Sequence, residues 1–173
     1  MKSSISFGSR GVLNDTQVIV VGSQAILGVA SDDALSPEVT TSVETDIAPF
    51  HDPDEREADL IDGSIGEGSL FYDNFHIYAQ GVSRHTSRLP SGWESRLIPW
   101  AIEGTMGVTA WFLDPYDLLI AKYFANRPKD HDFCQTMALL DMSRLLDRLK
   151  EVESIQDERR QISQRIHRHF DLE

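Results

Sequence analysis

Apolar and polar positions change period several times along the chain, and each change marks an element. Residues 17–21 (QVIVV) form a β-branched run closed by Gly22, the pattern of a buried strand, and SQAILG at 23–28 can start a short helix. In residues 40–48 (TTSVETDIA), Val43, Thr45 and Ile47 alternate with Ser42, Glu44 and Asp46, so a strand here carries its polar set on one face. Residues 48–59 (APFHDPDEREAD) are polar, acidic and proline-containing, as expected of a surface loop. The apolar patches at 58–61, 75–82, 96–100 and 108–113 are expected to be further strands or sheet-packing segments. From Asp114 the period lengthens. Asp-Pro supplies an N-cap with proline at the first helical position, and YDLLIAKYFA predicts a helix over Pro115–Ala125. A second helical stretch is predicted from about Pro128 to Val152, with Phe133, Met137, Leu140, Leu145, Leu149 and Val152 along one buried face. The polar tail from Glu153, marked by Ile155, Ile162, Ile166 and Phe170, reads as a helix that packs on the domain or on a partner.

With 173 residues, 40% of them apolar, the chain can bury a core without disulfides or structural metal, and one compact unit is expected. Residues 32–73 hold thirteen acids against one base, Arg56, and this stretch accounts for the whole formal charge of −12. Broad electrostatic binding of DNA is therefore excluded, because it needs a basic face. The lone Cys134 forms no internal disulfide, and no Cys/His spacing resembles a zinc site. No run is long and apolar enough to span a bilayer and the N-terminus lacks a signal-peptide core, so a soluble cytoplasmic protein with no membrane partner is expected.

Two features in order could do chemistry. Gly22-Ser23 between a strand and a helix lets backbone approach a phosphate, and Glu44-x-Asp46 puts two carboxylates on one strand face, where they can share a hard cation. Taken singly, the first is an ordinary turn and the second a solvated face. Together they make a site for metal-assisted phosphoryl or nucleotidyl transfer. Lys122 could act as a point charge on a triphosphate and Arg127 as a bidentate clamp, with Asp130 orienting Lys122 or touching the metal. The plainer reading has Lys122 snorkelling from an amphipathic helix while Pro128 to Asp130 cap the next one. The six histidines lack ligand spacing. The glycine-rich SIGEGS loop at 64–69 lacks a P-loop lysine, and the Arg159, Arg160, Arg165 and Arg168 group has acids interspersed, as on a solvated helix face.

The strings VVGSQAILG, TTSVETDIAP, DLIDGSIGEGSLFYDNFHIYAQGV and DPYDLLIAKYFANRPKDHDF resemble a family of small bacterial nucleotidyltransferase-like proteins of the polymerase-β-like superfamily. They are also similar to abortive-infection toxins of toxin–antitoxin pairs. The likeness spans roughly residues 17–133. The superfamily signature is Gly-Gly or Gly-Ser followed by Asp-x-Asp or Asp-x-Glu, and Gly22-Ser23 with Glu44-Thr45-Asp46 stand in those places. The resemblance implies Glu44 and Asp46 as ligands of Mg²⁺ or Mn²⁺, with Asp62 as the third carboxylate or Gln80 standing in its position. Lys122 followed by Arg127-x-Lys129-Asp130 resembles the toxins' K…R-x-K-D pattern, which implies Lys122 and Asp130 at the nucleotide site.

The expected fold is α+β: a nucleotidyltransferase-like mixed sheet flanked by helices, with a nucleotidyltransferase-like domain over 1–130 and a C-terminal helical extension over 131–173 packed on it. The resemblance implies transfer of an NMP group from an NTP to a hydroxyl acceptor, with tRNA or a protein as acceptor and a cognate antitoxin as partner if the protein is a toxin. The alternative is a nucleotidyltransferase-like subunit that has lost catalysis and binds or regulates. The glutamate at the first ligand position and the open identity of the third motivate that alternative.

Overall fold

The computed structural model describes residues 17–29, 42–100, 108–137 and 140–170. The chain divides into two compact units, Met1–Thr86 with Leu97–Leu113, and Ser87–Arg96 with Asp114–Glu173. Chain order in the first unit is β1 (Gln17–Val20), a 3-10 helix (Ser23–Gly28), β2 (Glu44–Pro49), α1 (Arg56–Ile65), α2 (Leu70–Phe75), β3 (Tyr78–Gly81), β4 (Ile98–Trp100) and β5 (Thr109–Phe112). The second unit holds a short 3-10 turn (Trp93–Arg96), α3 (Pro115–Ala125), α4 (Pro128–Thr136), α5 (Met142–Lys150) and α6 (Gln156–Phe170).

The five strands form one mixed sheet in the order β3-β2-β1-β5-β4. β1 is central because its residues after Gln17 are apolar, with Val18, Ile19 and Val20 fully buried. It pairs antiparallel with β2 and parallel with β5, while β3 runs parallel to β2 and β4 antiparallel to β5. The register sorts side chains by face. Val20, Ile47, Gly81 and Phe112 share one face, and Glu44, Asp46, Tyr78 and Gln80 share the other at the β2–β3 end. Ala58 and Ile61 of α1 are buried, and the Ala58 backbone lies so close to Gly81 that a Cβ there would fall 2.6 Å from the Ala58 carbonyl carbon.

Several expectations are corrected in detail. The segment at 58–61 packs on the sheet as part of a helix: the Asp52 carboxylate accepts from the Glu57 and Ala58 N–H groups at 3.1 and 2.8 Å and so caps α1. The acidic loop thus shrinks to the residues between Pro49 and Arg56. The β2 strand begins at Glu44 and runs to Pro49; Thr40 and Thr41 lie outside the described residues. The predicted helix over 128–152 is two helices. Asp141 starts the second, accepting from the Ser143 and Arg144 N–H groups at 2.8 and 3.2 Å, and a side chain that caps a new helix stops the old one from continuing.

In the second unit, α3 has the predicted bounds. The Asp114 side chain accepts from the Tyr116 N–H at 3.0 Å, Pro115 occupies the first turn, and Asn126 closes the helix in the left-handed region at φ 55°. Residues Tyr116 to Tyr123 are all buried. α3 is therefore a core helix without an exposed stripe, and it packs on α4, α5 and α6. Ile162 and Ile166 dock the C-terminal helix, while Ile155 ahead of it stays exposed.

Candidate active site

In the first unit the polar face of β2 and β3 forms an acidic pocket of about 250 Å³, lined by Glu44, Asp62, Glu67, Tyr78 and Gln80. Glu44 and Tyr78 are register partners on adjacent parallel strands, so their side chains leave the sheet side by side. Burial raises the Tyr78 phenol above its usual pKa, and the charges of Glu44 and Glu67 and hydrogen bonding to Glu44 raise it further. Tyr78 therefore stays protonated at neutral pH and can donate to Glu44.

Asp46 follows two residues along the same face, beside Gly22. A Cβ placed on Gly22 would lie 2.8 Å from Asp46 Cγ and 3.0 Å from its Cβ. Gly22 has φ −80°, open to any residue, so glycine is needed here for space and not for backbone conformation. The two sequence features are thereby brought together: the turn after β1 abuts the second carboxylate of β2. Ser23 opens a six-residue 3-10 helix instead of an α-helix.

Both candidates for the third carboxylate's place lie near the Glu44–Asp46 face. Gln80 is the register partner of Asp46 on β3. Asp62 reaches the same pocket from α1, but its Oδ1 accepts the Gly81 N–H at 2.7 Å and so ties α1 to the edge strand. Among the described residues no group of three His, Cys, Asp or Glu side chains could hold a metal ion. Tyr78 was missed as a pocket residue in the sequence, although the alternation Tyr78-x-Gln80 in IYAQGV was its signal. Glu67 belongs to the SIGEGS stretch, read as a turn near the site; Ser64 and Ile65 of that stretch are the end of α1 and the turn follows them.

In the second unit Lys122 is buried and its Nζ lies 3.3 Å from Asp130 Oδ1. Asp130 is 1% exposed and also accepts from Arg127 Nε at 2.7 Å, Nη2 at 3.1 Å and the Arg127 backbone N–H at 3.1 Å. Burial alone would raise the Asp130 pKa; the Arg127 hydrogen bonds and the Lys122 charge outweigh it and hold the carboxyl below its usual value. Lys122 therefore does not snorkel outward: it lies in the core, 5.5 Å from the centre of the Phe133 ring, and Asp130 orients it. The arginine group of the tail is also partly committed, Arg165 to the Tyr123 carbonyl at 3.1 Å and Arg159 to the Val152 carbonyl at 3.0 Å.

A mixed five-stranded sheet flanked by helices, with Gly-Ser after its central strand and Glu-x-Asp on the neighbouring one, fits an α+β nucleotidyltransferase-like fold. The chain belongs to the family described as nucleotidyltransferase of unknown function (DUF6036), which matches residues 10–170. That description gives the general kind of activity and implies a nucleotide substrate. No curated protein and no solved structure matches the chain. Among the described residues no helix is long and apolar enough to cross a membrane.

Proposed function

We propose that the protein transfers a nucleoside monophosphate from an NTP to a hydroxyl acceptor, the hydroxyl oxygen bonding to the α-phosphorus as the α–β bond breaks and pyrophosphate and the hydroxyl proton leave, with Glu44 and Asp46 holding a divalent cation. One observation carries the reading in a chain of this family: the turn after β1 is pared to glycine where it meets the Asp46 carboxylate, two residues from Glu44 on the same face. The donor set fits Mg²⁺ or Mn²⁺. Such an ion is commonly held by one or two carboxylates and takes its remaining oxygens from water and substrate phosphates, so two carboxylates suffice when nucleotide is present. When bound, the cation would offset the triphosphate charge and favour ionisation of the acceptor hydroxyl.

This chain's own groups do the rest. Tyr78 holds Glu44 in place, and Gly22 leaves the Asp46 carboxylate its position and the backbone room beside it. On the family resemblance, Lys122, Arg127 and Asp130 of the second unit are proposed to have a role toward the nucleotide. The same resemblance supports tRNA or a protein as acceptor and a toxin role relieved by a cognate antitoxin. A second reading, a subunit that binds nucleotide without transferring it, is favoured by Gln80 standing beside Asp46 where a third carboxylate would sit.

The test uses α-labelled NTPs, Mg²⁺ or Mn²⁺, and total tRNA or protein as acceptor. Label should enter the acceptor with wild type and be lost with Asp46→Ala. Gly22→Ala, which pushes the carboxylate aside, should lower the rate about a hundredfold. Undiminished transfer by Asp46→Ala refutes the mechanism. Metal-dependent NTP binding with no transfer to either acceptor establishes the second reading.

A further inference from the structure

We propose that Asn126 and Arg165 are positioning residues: together they fix the joint between α3 and α4 and so hold Lys122, Arg127 and Asp130 in the arrangement by which they act on the nucleotide. The inference rests on the role toward the nucleotide proposed above for those three residues. Only Asn126 and Arg127 separate α3 from α4, so the angle between the two helices is set there. Lys122 stands in the last turn of α3 and Asp130 in the first turn of α4, and their 3.3 Å contact spans the joint. A change of angle at Asn126 therefore acts directly on the pair.

The joint is braced beyond what a helix end needs. Asn126, at φ 55°, closes α3 through its own N–H, which donates to the Lys122 carbonyl at 2.9 Å, and an ordinary left-handed cap stops there. Here the side chain is used as well. Asn126 Oδ1 accepts from Arg165 Nη1 of α6 and, at 2.8 Å, from His131 Nε2 of α4, so one amide oxygen ties three helices together. Arg165 Nη1 also donates to the Tyr123 carbonyl at 3.1 Å. That carbonyl's helical partner, the Arg127 N–H, turns instead to Asp130 Oδ2 at 3.1 Å, and Arg165 takes the place it leaves. A guanidinium there also meets the negative pole of α3. Among the described residues no carboxylate pairs with Arg165, so its side chain is committed to this joint.

The experiment titrates the full chain with ATP, GTP, CTP and UTP in Mg²⁺ by calorimetry and follows hydrogen exchange of the Arg127 amide. Asn126→Gly keeps the left-handed joint, which glycine takes more readily than asparagine, and removes only the side-chain oxygen. Its urea midpoint should not fall, while its NTP affinity should drop at least about fivefold, the lower end of coupling between separate sites. Arg165→Gln should lose affinity to a similar extent, and both variants should speed exchange of the Arg127 amide. Asn126→Asp keeps an oxygen for both donors and should bind as wild type does. Wild-type affinity in Asn126→Gly and Arg165→Gln, with Lys122→Gln weakened, would overturn the positioning role and leave the nucleotide role of Lys122 standing. Unchanged Arg127 exchange in both variants would overturn it as well. Wild-type affinity in Lys122→Gln too would refute the nucleotide role itself and the inference with it.

Discussion

Gly63 and Gly81 offer the same substitution with opposite expected signs, and both lie in the first unit, so they report on one unfolding transition. Gly63 sits inside α1, and a Cβ there meets nothing within 4 Å. Alanine restricts the unfolded chain and suits the helix, so Gly63→Ala should stabilise by about 0.5–1 kcal/mol. At Gly81 the new Cβ would fall 2.6 Å from the Ala58 carbonyl carbon and 2.9 Å from its Cα. Backbone cannot rotate away as a side-chain tip can, so α1 must lift from β3, at an overpacking cost of about 1–3 kcal/mol. That movement also strains the 2.7 Å bond from the Gly81 N–H to Asp62. The two variants should therefore differ by about 1.5–4 kcal/mol, or roughly 3–16 °C in Tm at about 2–4 °C per kcal/mol for a chain of this size. Urea unfolding followed by circular dichroism measures the difference, with unchanged m confirming that only stability moved. A Gly81→Ala protein as stable as wild type, or a Gly63→Ala protein less stable, would show that α1 does not pack on β3 as described.

Asp117 is fully buried between Arg96, at 2.8 Å, and Arg148, at 3.3 Å; Asp117→Ala leaves both guanidiniums only looser carboxylate contacts, with Glu151 at 3.7 and 3.4 Å, and should cost about 1.5–3 kcal/mol in urea titrations, whereas an effect under about 0.5 kcal/mol would mean that the network is solvated. Asp130 gives a pH signature. Its carboxyl is held below the ordinary value of 3.8 in the fold, so the unfolded chain binds the proton first as pH falls; its contribution is complete well above 3.8 and is lost as pH drops through the folded value. The urea midpoint of wild type should thus fall more steeply below pH about 4 than that of Asp130→Asn, and parallel acid limbs would refute the pairing. Asp117, raised by burial against the opposing Arg96 and Arg148, has the reverse sign and offsets part of that loss.

How much was legible in the sequence depended on whether a signal was local. The β1 strand and α3 were readable because QVIVV and Asp-Pro with its following period are complete within a few residues, and the Glu44–Asp46 face followed from strand alternation alone. The segment at 58–61 was not, since its helix is started by Asp52, whose side chain turns back on the chain from outside the apolar run. The stretch over 128–152 was over-read for a related reason: one apolar face continued in register across Asp141, and periodicity does not detect a cap that starts a new helix. For Lys122, a charged residue in a helix suggested an amphipathic surface, but α3 is buried on every side and the lysine's partner comes from the next helix.

The sequence by itself determined which residues could carry the chemistry: a glycine-serine turn, two carboxylates two residues apart, and a lysine with an aspartate eight residues on. It also confined the whole net charge to one stretch. Only the tertiary structure decided what those residues meet. Strand register sets Gln80 beside Asp46 and Tyr78 beside Glu44, and the packing of α1 on β3 places the Asp62 carboxylate on the Gly81 N–H. The physical reason is that alternation fixes which face a side chain takes, while its neighbour on that face depends on pairing between strands distant in sequence, which no local pattern encodes.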